Sequence, residues 1–157
     1  MQYNLGIDTL LPNKVNDINI EVHNGKRFVD SRLVSKELDL SKHSDIIAAN
    51  GTTYRKDKRG VLPELMDDLY KNRKRYKKIM LEWEQKQADG DNSEEVINNI
   101  AKYNNLQMVM KILLNSAYGA TGNKHFRYFD IAIAEAITLS GQLSIGWIIR
   151  KLNEYMN

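Results

Sequence analysis

Five side chains in this sequence are spaced to meet concentrated negative charge. Lys111, Asn115 and Tyr118 follow at i, i+4 and i+7, so on a helix all three leave one face, and Gly119 comes next. Arg73 and Lys77, four residues apart, share a face of an earlier segment. A phosphate-seeking cation on a polar stripe, with Ile112, Leu113, Leu114 and Ala117 free to pack, is one reading of the later stretch. A solvated face ending in a glycine C-cap is the other, and spacing alone leaves both open. Three cations drawn from two helices would clamp a polyphosphate, neutralising and orienting distributed charge without covalent chemistry. No Ser-His-Asp or Cys-His set accompanies them. Glu64, Asp67, Asp68, Glu82 and Glu84 have the spacing of helix-surface acids and form no metal pair of the kind phosphoryl transfer needs.

Two long helices must position these groups. Pro63 opens the first, where its missing N–H costs nothing, and Glu64, Asp67 and Asp68 complement the dipole. Leu65, Leu69, Tyr76, Ile79, Met80 and Trp83 carry a helical stripe to about Ala88, and Asp89-Gly90-Asp91-Asn92 breaks it. Ser93 is an N-cap for the second helix, which Ile97, Ile100, Leu106, Val109, Ile112, Leu113 and Leu114 carry to Tyr118. So short a polar joint makes the helices antiparallel neighbours, a hairpin with its tip near Gly90. Lys77 and Lys111 then differ in level by about 9 Å at ~1.5 Å per residue, and the cationic stripes converge at the hairpin base. Lys71, Arg73, Lys74, Arg75, Lys77 and Lys78 crowd one stretch with no acid among them, which suits either an anionic partner or a lysine-rich solvated face.

The remaining chain is lighter in signals. Ile18 to Val22 alternates, meets Asn24-Gly25 and continues as Arg27-Phe28-Val29, a strand, turn and strand. Asn50-Gly51-Thr52-Thr53-Tyr54 marks a second small β element; Asn50 to Thr52 also fits a glycosylation sequon, read as accidental. After Gly119 comes a turn without the glycine spacing of a phosphate loop. A last helix spans about 131 to 155, with Ile133, Ala136, Ile137, Leu143, Trp147 and Leu152 suited to packing on a sheet. Apolar residues make up 42% of 157, enough for a core, and the net charge of +3 is only mildly basic. No cysteine is present, so neither disulfides nor thiolate metal sites are expected. His23, His43 and His125 lie apart without ligand spacing and read as surface or structural residues. No 18-residue apolar run or signal peptide is read, so no membrane partner is expected and the protein is taken as soluble and intracellular.

Arg73-x-x-x-Lys77 followed by Lys111-x-x-x-Asn115-Ser116-x-Tyr118-Gly119 resembles the fingers of family B DNA polymerases. Ala120-x-Gly122-Asn123-x-x-Phe126-Arg127-Tyr128-x-Asp130, Gly141-Gln142 and Trp147-Ile148-x-Arg150-Lys151-x-Asn153-Glu154-Tyr155 are similar to the replicative enzymes of T-even-like bacteriophages. Met1-Gln2-Tyr3-Asn4 resembles the sequence just after the family's DxxSLYPS motif, and Gly51-x-x-Tyr54-Arg55-Lys56-Asp57 with Gly60-Val61-Leu62-Pro63 resembles the approach to the fingers.

The resemblance implies a mostly helical α+β fold: a long antiparallel fingers hairpin at 63–120, attached to an incomplete palm made of a β and irregular segment at 1–62 and a helical segment at 121–157. It implies that Arg73, Lys77 and Lys111 hold the triphosphate of the incoming dNTP and that Asn115 lines the nucleotide pocket. Tyr118 and Gly119 would lie under the nascent base pair. It further implies DNA primer–template and dNTPs as partners, remaining polymerase segments or subunits, and a place in the cytoplasm, that of the host cell if viral. Mg2+ would be bound by catalytic aspartates whose motifs, DxxSLYPS and DTD, this chain does not carry, so the chain alone is expected to be catalytically silent. A non-catalytic basic helical hairpin that binds nucleic acid is the alternative.

Overall fold

In the computed structural model, which describes residues 4–156, the first strand, β1 (Leu10–Lys14), contains a proline and an asparagine. Pro12 is tolerated because β1 lies at the edge of its sheet, where a missing N–H need not break a ladder. The strands β2 (Glu21–His23) and β3 (Lys26–Phe28) form an antiparallel hairpin with Glu21 opposite Phe28 and His23 opposite Lys26. Its Asn24-Gly25 turn has left-handed backbone at both residues, φ 51° and 73°, the geometry that matches strand twist. A short helix, α1 (Ser31–Ser35), follows; Asp30 caps it by accepting the Arg32 N–H at 3.0 Å. The strands β4 (Ile46–Ile47) and β5 (Thr52–Tyr54) complete an antiparallel sheet in the order β1-β5-β4. Three long helices make up the rest: α2 (Val61–Ala88), α3 (Glu94–Thr121) and α4 (Ile131–Met156). The fold is α+β and mostly helical.

Compared with the sequence expectations, the β element at Thr52–Tyr54 and all three long helices are present, and the β-hairpin is present but shorter: Ile18 to Ile20 and Val29 lie outside its strands. The sheet partners β1 and β4 and the helix α1 were not foreseen. Continuity differs at one place: α3 runs through Gly119 to Thr121, so Gly119 is a helical residue and not a C-cap.

The chain divides into two compact units, Met1–Pro63 with Thr121–Asn157, and Glu64–Ala120. In the first, α4 lies on β5 and α1. Its core joins Leu5, Ala48, Tyr54 and Ala136, with Leu10, Ile46 and Ile137 packed around them. Tyr54 is fully buried, and burial pushes its phenol pKa up while the hydroxyl stays 3.3 Å from the Thr52 hydroxyl. Burying such a side chain stabilises by about 2–3 kcal/mol. Asn50 is also buried. It donates to the Ala132 carbonyl at 2.9 Å and accepts from the Thr52 hydroxyl at 2.7 Å, so this amide is fully engaged in the fold and the sequon is incidental.

The helix α4 starts on Asp130, whose carboxylate accepts the Ala132 N–H at 2.8 Å. Glu135 pairs with Arg27, Gln142 accepts the Val29 N–H at 3.1 Å, and Arg150 donates to the Val34 carbonyl at 3.2 Å. Lys36 lies 4.9 Å from the centre of the Trp147 ring. The expectation of no sufficiently apolar stretch needs correcting. By length and composition α4 passes the test for a membrane span, with a window of mean hydropathy 1.4, because its isoleucines, leucines and alanines outweigh the few charged residues among them. The links to the hairpin, β5 loop and α1 fasten it to its own unit, and we read it as that unit's central helix.

Candidate nucleotide-binding face

The second unit is a helical hairpin. The end of α2 is closed by Gly90 with left-handed backbone, φ 107°, whose N–H donates to the Gln87 carbonyl at 3.0 Å while the Asp91 N–H reaches Lys86 at 3.1 Å. This is the paired closure that satisfies a helix's last carbonyls. Ser93 caps α3, its hydroxyl accepting the Val96 N–H at 3.4 Å. The rings of Tyr76 and Tyr103 meet with centroids 6.4 Å apart, on either side of this joint at similar remove, so the helices run antiparallel.

That ring pair sets the register. Leu69, Arg73, Tyr76 and Met80 form the half-buried stripe of α2, and Tyr103, Leu106, Met110, Leu114 and Ala117 that of α3. Arg73 thus occupies a position of the facing stripe itself. Its Nε is buried and has no hydrogen-bond partner, an unmet donor of the sort a buried polar atom seldom is. Lys77 stands one residue past Tyr76. Lys111, Asn115 and Tyr118 stand one residue past Met110, Leu114 and Ala117, and all four are exposed. On antiparallel helices, positions one step beyond the facing stripe fall on the same side of the pair. Lys77 and the Lys111–Tyr118 row therefore share a side of the hairpin.

Levels along the axis differ from the sequence count. With Tyr76 opposite Tyr103, Arg73 lies level with Leu106 and Lys77 with Lys102. Lys111 is then roughly 7–8 Å from the level of Arg73 and roughly 13–14 Å from that of Lys77, at ~1.5 Å per residue. The turn-based offset of about 9 Å assumed a symmetric joint; the ring pair places the helices a few residues differently. Among the described residues no ion pair or hydrogen bond engages the side chains of Arg73, Lys77, Lys111 or Asn115.

Three of the other four cations of the basic run find local partners, Arg75 being the exception among the described residues. Lys71 pairs with Asp67 at 2.8 Å, Lys78 lies 3.9 Å from Glu82, and Lys74 sits 5.9 Å from the Tyr70 ring. Acids one turn outside the run thus meet its ends, which the run read by itself concealed. The residue expectations for packing also need adjusting. Leu114 and Ala117 are half-buried, but Ile112 and Leu113 are exposed, because a helix with one neighbour covers one stripe only. All three histidines are exposed; His23 lies 3.5 Å from Glu21. Of the amino-terminal resemblance, Met1 to Tyr3 lie outside the described residues.

A family model described as DNA polymerase family B matches residues 1–157. The chain belongs to that family. This family B chain is 32% identical over 151 aligned residues to the DNA-directed DNA polymerase of Escherichia phage RB69, covering 69% of this chain and 16% of that protein. It is 59% identical over 54 residues to the DNA-directed DNA polymerase of Enterobacteria phage T4, covering 34% of this chain and 6% of that protein. A DNA polymerase of Orf virus (strain NZ2) is 28% identical over 107 residues, 68% of this chain and 10% of that protein. The chain therefore spans at most 16% of the length of these relatives. Family B DNA polymerases use divalent metal ions. Among the described residues no group of three or more His, Asp or Glu side chains is placed to hold one, so they do not fit a metal site.

Proposed function

We propose that this chain is the nucleotide-gripping part of a DNA-directed DNA polymerase, with residues 63–120 as its fingers and 1–62 and 121–157 as an adjoining part of the palm. Arg73, Lys77 and Lys111 hold the triphosphate of the incoming dNTP. Asn115 lines the nucleotide pocket, and Tyr118 and Gly119 lie under the nascent base pair. The observation that carries this reading is the unpartnered donor of Arg73, on a hairpin whose Lys77 and Lys111 share a side and lack internal partners. Cations left without carboxylates have their attraction available for phosphate oxygens. Membership of family B supports the same reading.

Catalysis in this reading belongs to the larger enzyme. Its Mg2+ ions are held by aspartates supplied elsewhere in the polymerase, and this chain contributes binding and orientation of the nucleotide. Primer–template DNA, dNTPs and the remaining polymerase segments are its partners, and the cytoplasm, that of the host cell if the protein is viral, is its place of work.

Photolabelling with an azido-dNTP tests the clamp. Labelling is expected near Lys111 or Arg73 and should fall about tenfold or more in Lys111→Ala, the loss of one charge-assisted contact worth ~1.5–3 kcal/mol. Equal labelling of the parent and Lys111→Ala would sink the assignment. Strong DNA binding without any nucleotide labelling would favour the non-catalytic basic hairpin.

A further inference from the structure

The exposed loop from Arg55 to Arg59 is held far more firmly than its burial explains. Asn4 donates through its side-chain amide to the carbonyls of Arg55 and Lys58, both at 2.8 Å, and accepts the Gly60 N–H at 2.7 Å. The Arg55 N–H donates to the Thr9 carbonyl at 2.8 Å, and the Val61 N–H to the Asp8 carboxylate at 3.0 Å. Every residue from Arg55 to Arg59 is nevertheless exposed. The loop covers no core, so its order does not come from packing.

Its charge is equally lopsided. Four cations flank one acid, a surplus of three positive charges that equals the surplus of the whole chain. That one acid, Asp57, is taken by the Arg55 fork at 3.0 and 2.7 Å. The side chains of Lys56 and Lys58 make no hydrogen bond or ion pair among the described residues. Two hydrated point charges therefore stand on a fixed backbone. An ammonium on a flexible stem suits a single phosphate oxygen and lacks the planar fork that reads a particular group. Fixing the loop in advance lowers the ordering cost of each contact.

We propose that this loop grips the phosphodiester backbone of DNA through Lys56 and Lys58, with Asn4 as the positioning residue that holds them out. The proposal rests on the polymerase reading above and adds a nucleic-acid contact separate from the dNTP clamp. Repeated identical charges along a strand fit paired lysines without readout of sequence.

The test measures binding of the full chain to a fluorescent primer–template across a salt series. In the double variant Lys56→Ala/Lys58→Ala, the slope of log K against log salt should shrink by roughly 0.7–0.9 for each lost contact. Asn4→Ala should keep the slope and weaken binding about two- to tenfold, since charge remains but order is lost. An unchanged slope and affinity in the double variant, at an unchanged melting temperature, overturns the proposal. So does a parent chain without salt-dependent DNA binding. Azido-dNTP labelling of the same samples separates the two readings. If the double variant loses labelling and keeps DNA affinity, the lysines serve the nucleotide and the proposal fails. If the parent chain shows no labelling but the slope still shrinks, the dNTP clamp fails and this contact stands.

Discussion

Asp30 shows how much one side chain can hold. Only 2% exposed, it accepts the backbone N–H of Asn19 at 2.9 Å and pairs with Arg32 at 2.7 Å while capping α1. Hydrogen bonding from the Arg32 guanidinium, with these N–H groups, brings its pKa from 3.8 down to about 2. A carboxylate depressed in the folded state stabilises above its unfolded pKa and stops doing so as pH falls through the folded value. Asp30→Asn should therefore lose about 2 kcal/mol at pH 7, and the gap from the parent should close between about pH 4 and pH 2. Urea unfolding at several pH values measures it; a gap that persists at pH 2 would assign the effect to lost hydrogen bonds. At this same scale, the i, i+4, i+7 spacing of Lys111, Asn115 and Tyr118 was legible because helical periodicity fixes which side chains share a face. The burial of Arg73 Nε was not, since Arg73 falls on the facing stripe only once the register of the other helix is known.

Elements divided in the same way. The long helices α2, α3 and α4 were readable from their period, with Pro63 and Ser93 marking starts and Gly90 a stop, while the cap at Asp130 shows only in the structure. The strand β1 was hidden by Pro12 and Asn13, which ordinarily interrupt strands and are allowed here at a sheet edge. The five-residue helix α1 is too short to show any periodicity and depends on Asp30 for its start. At the hairpin tip, Gly90 sits at φ 107°, closed to a branched side chain. Gly90→Val should destabilise the hairpin by roughly 1–2 kcal/mol and speed protease cleavage between Asp89 and Ser93. Cleavage at the parent rate would show that the tip tolerates another closure.

For the whole molecule, the consequential surface is the outer side of α4. Ile133, Ala136 and Leu139 are buried on one face, while Ile145, Ile148, Ile149, Leu152, Tyr155 and Met156 repeat at helical spacing on the other and are exposed. An apolar stripe of this kind is expected to draw copies of the isolated chain together. Ile148→Lys/Leu152→Lys should reduce concentration-dependent association in sedimentation velocity; equal association would locate the sticky surface elsewhere. The lysine-covered tryptophans lead in another direction. Trp83, with the Lys86 ammonium 3.8 Å from its ring centre, belongs to the unit Glu64–Ala120, and Trp147 to the other. The sequence has only these two indoles, so the protein carries one tryptophan fluorophore per unit. Trp83→Phe and Trp147→Phe each leave a single indole, read without the tyrosines by excitation at the red edge of the indole band. If the units melt independently, the two variants should report different denaturation midpoints on the same titration, and coincident midpoints would show one cooperative transition. The fold comes supplied with its own two-channel optical readout.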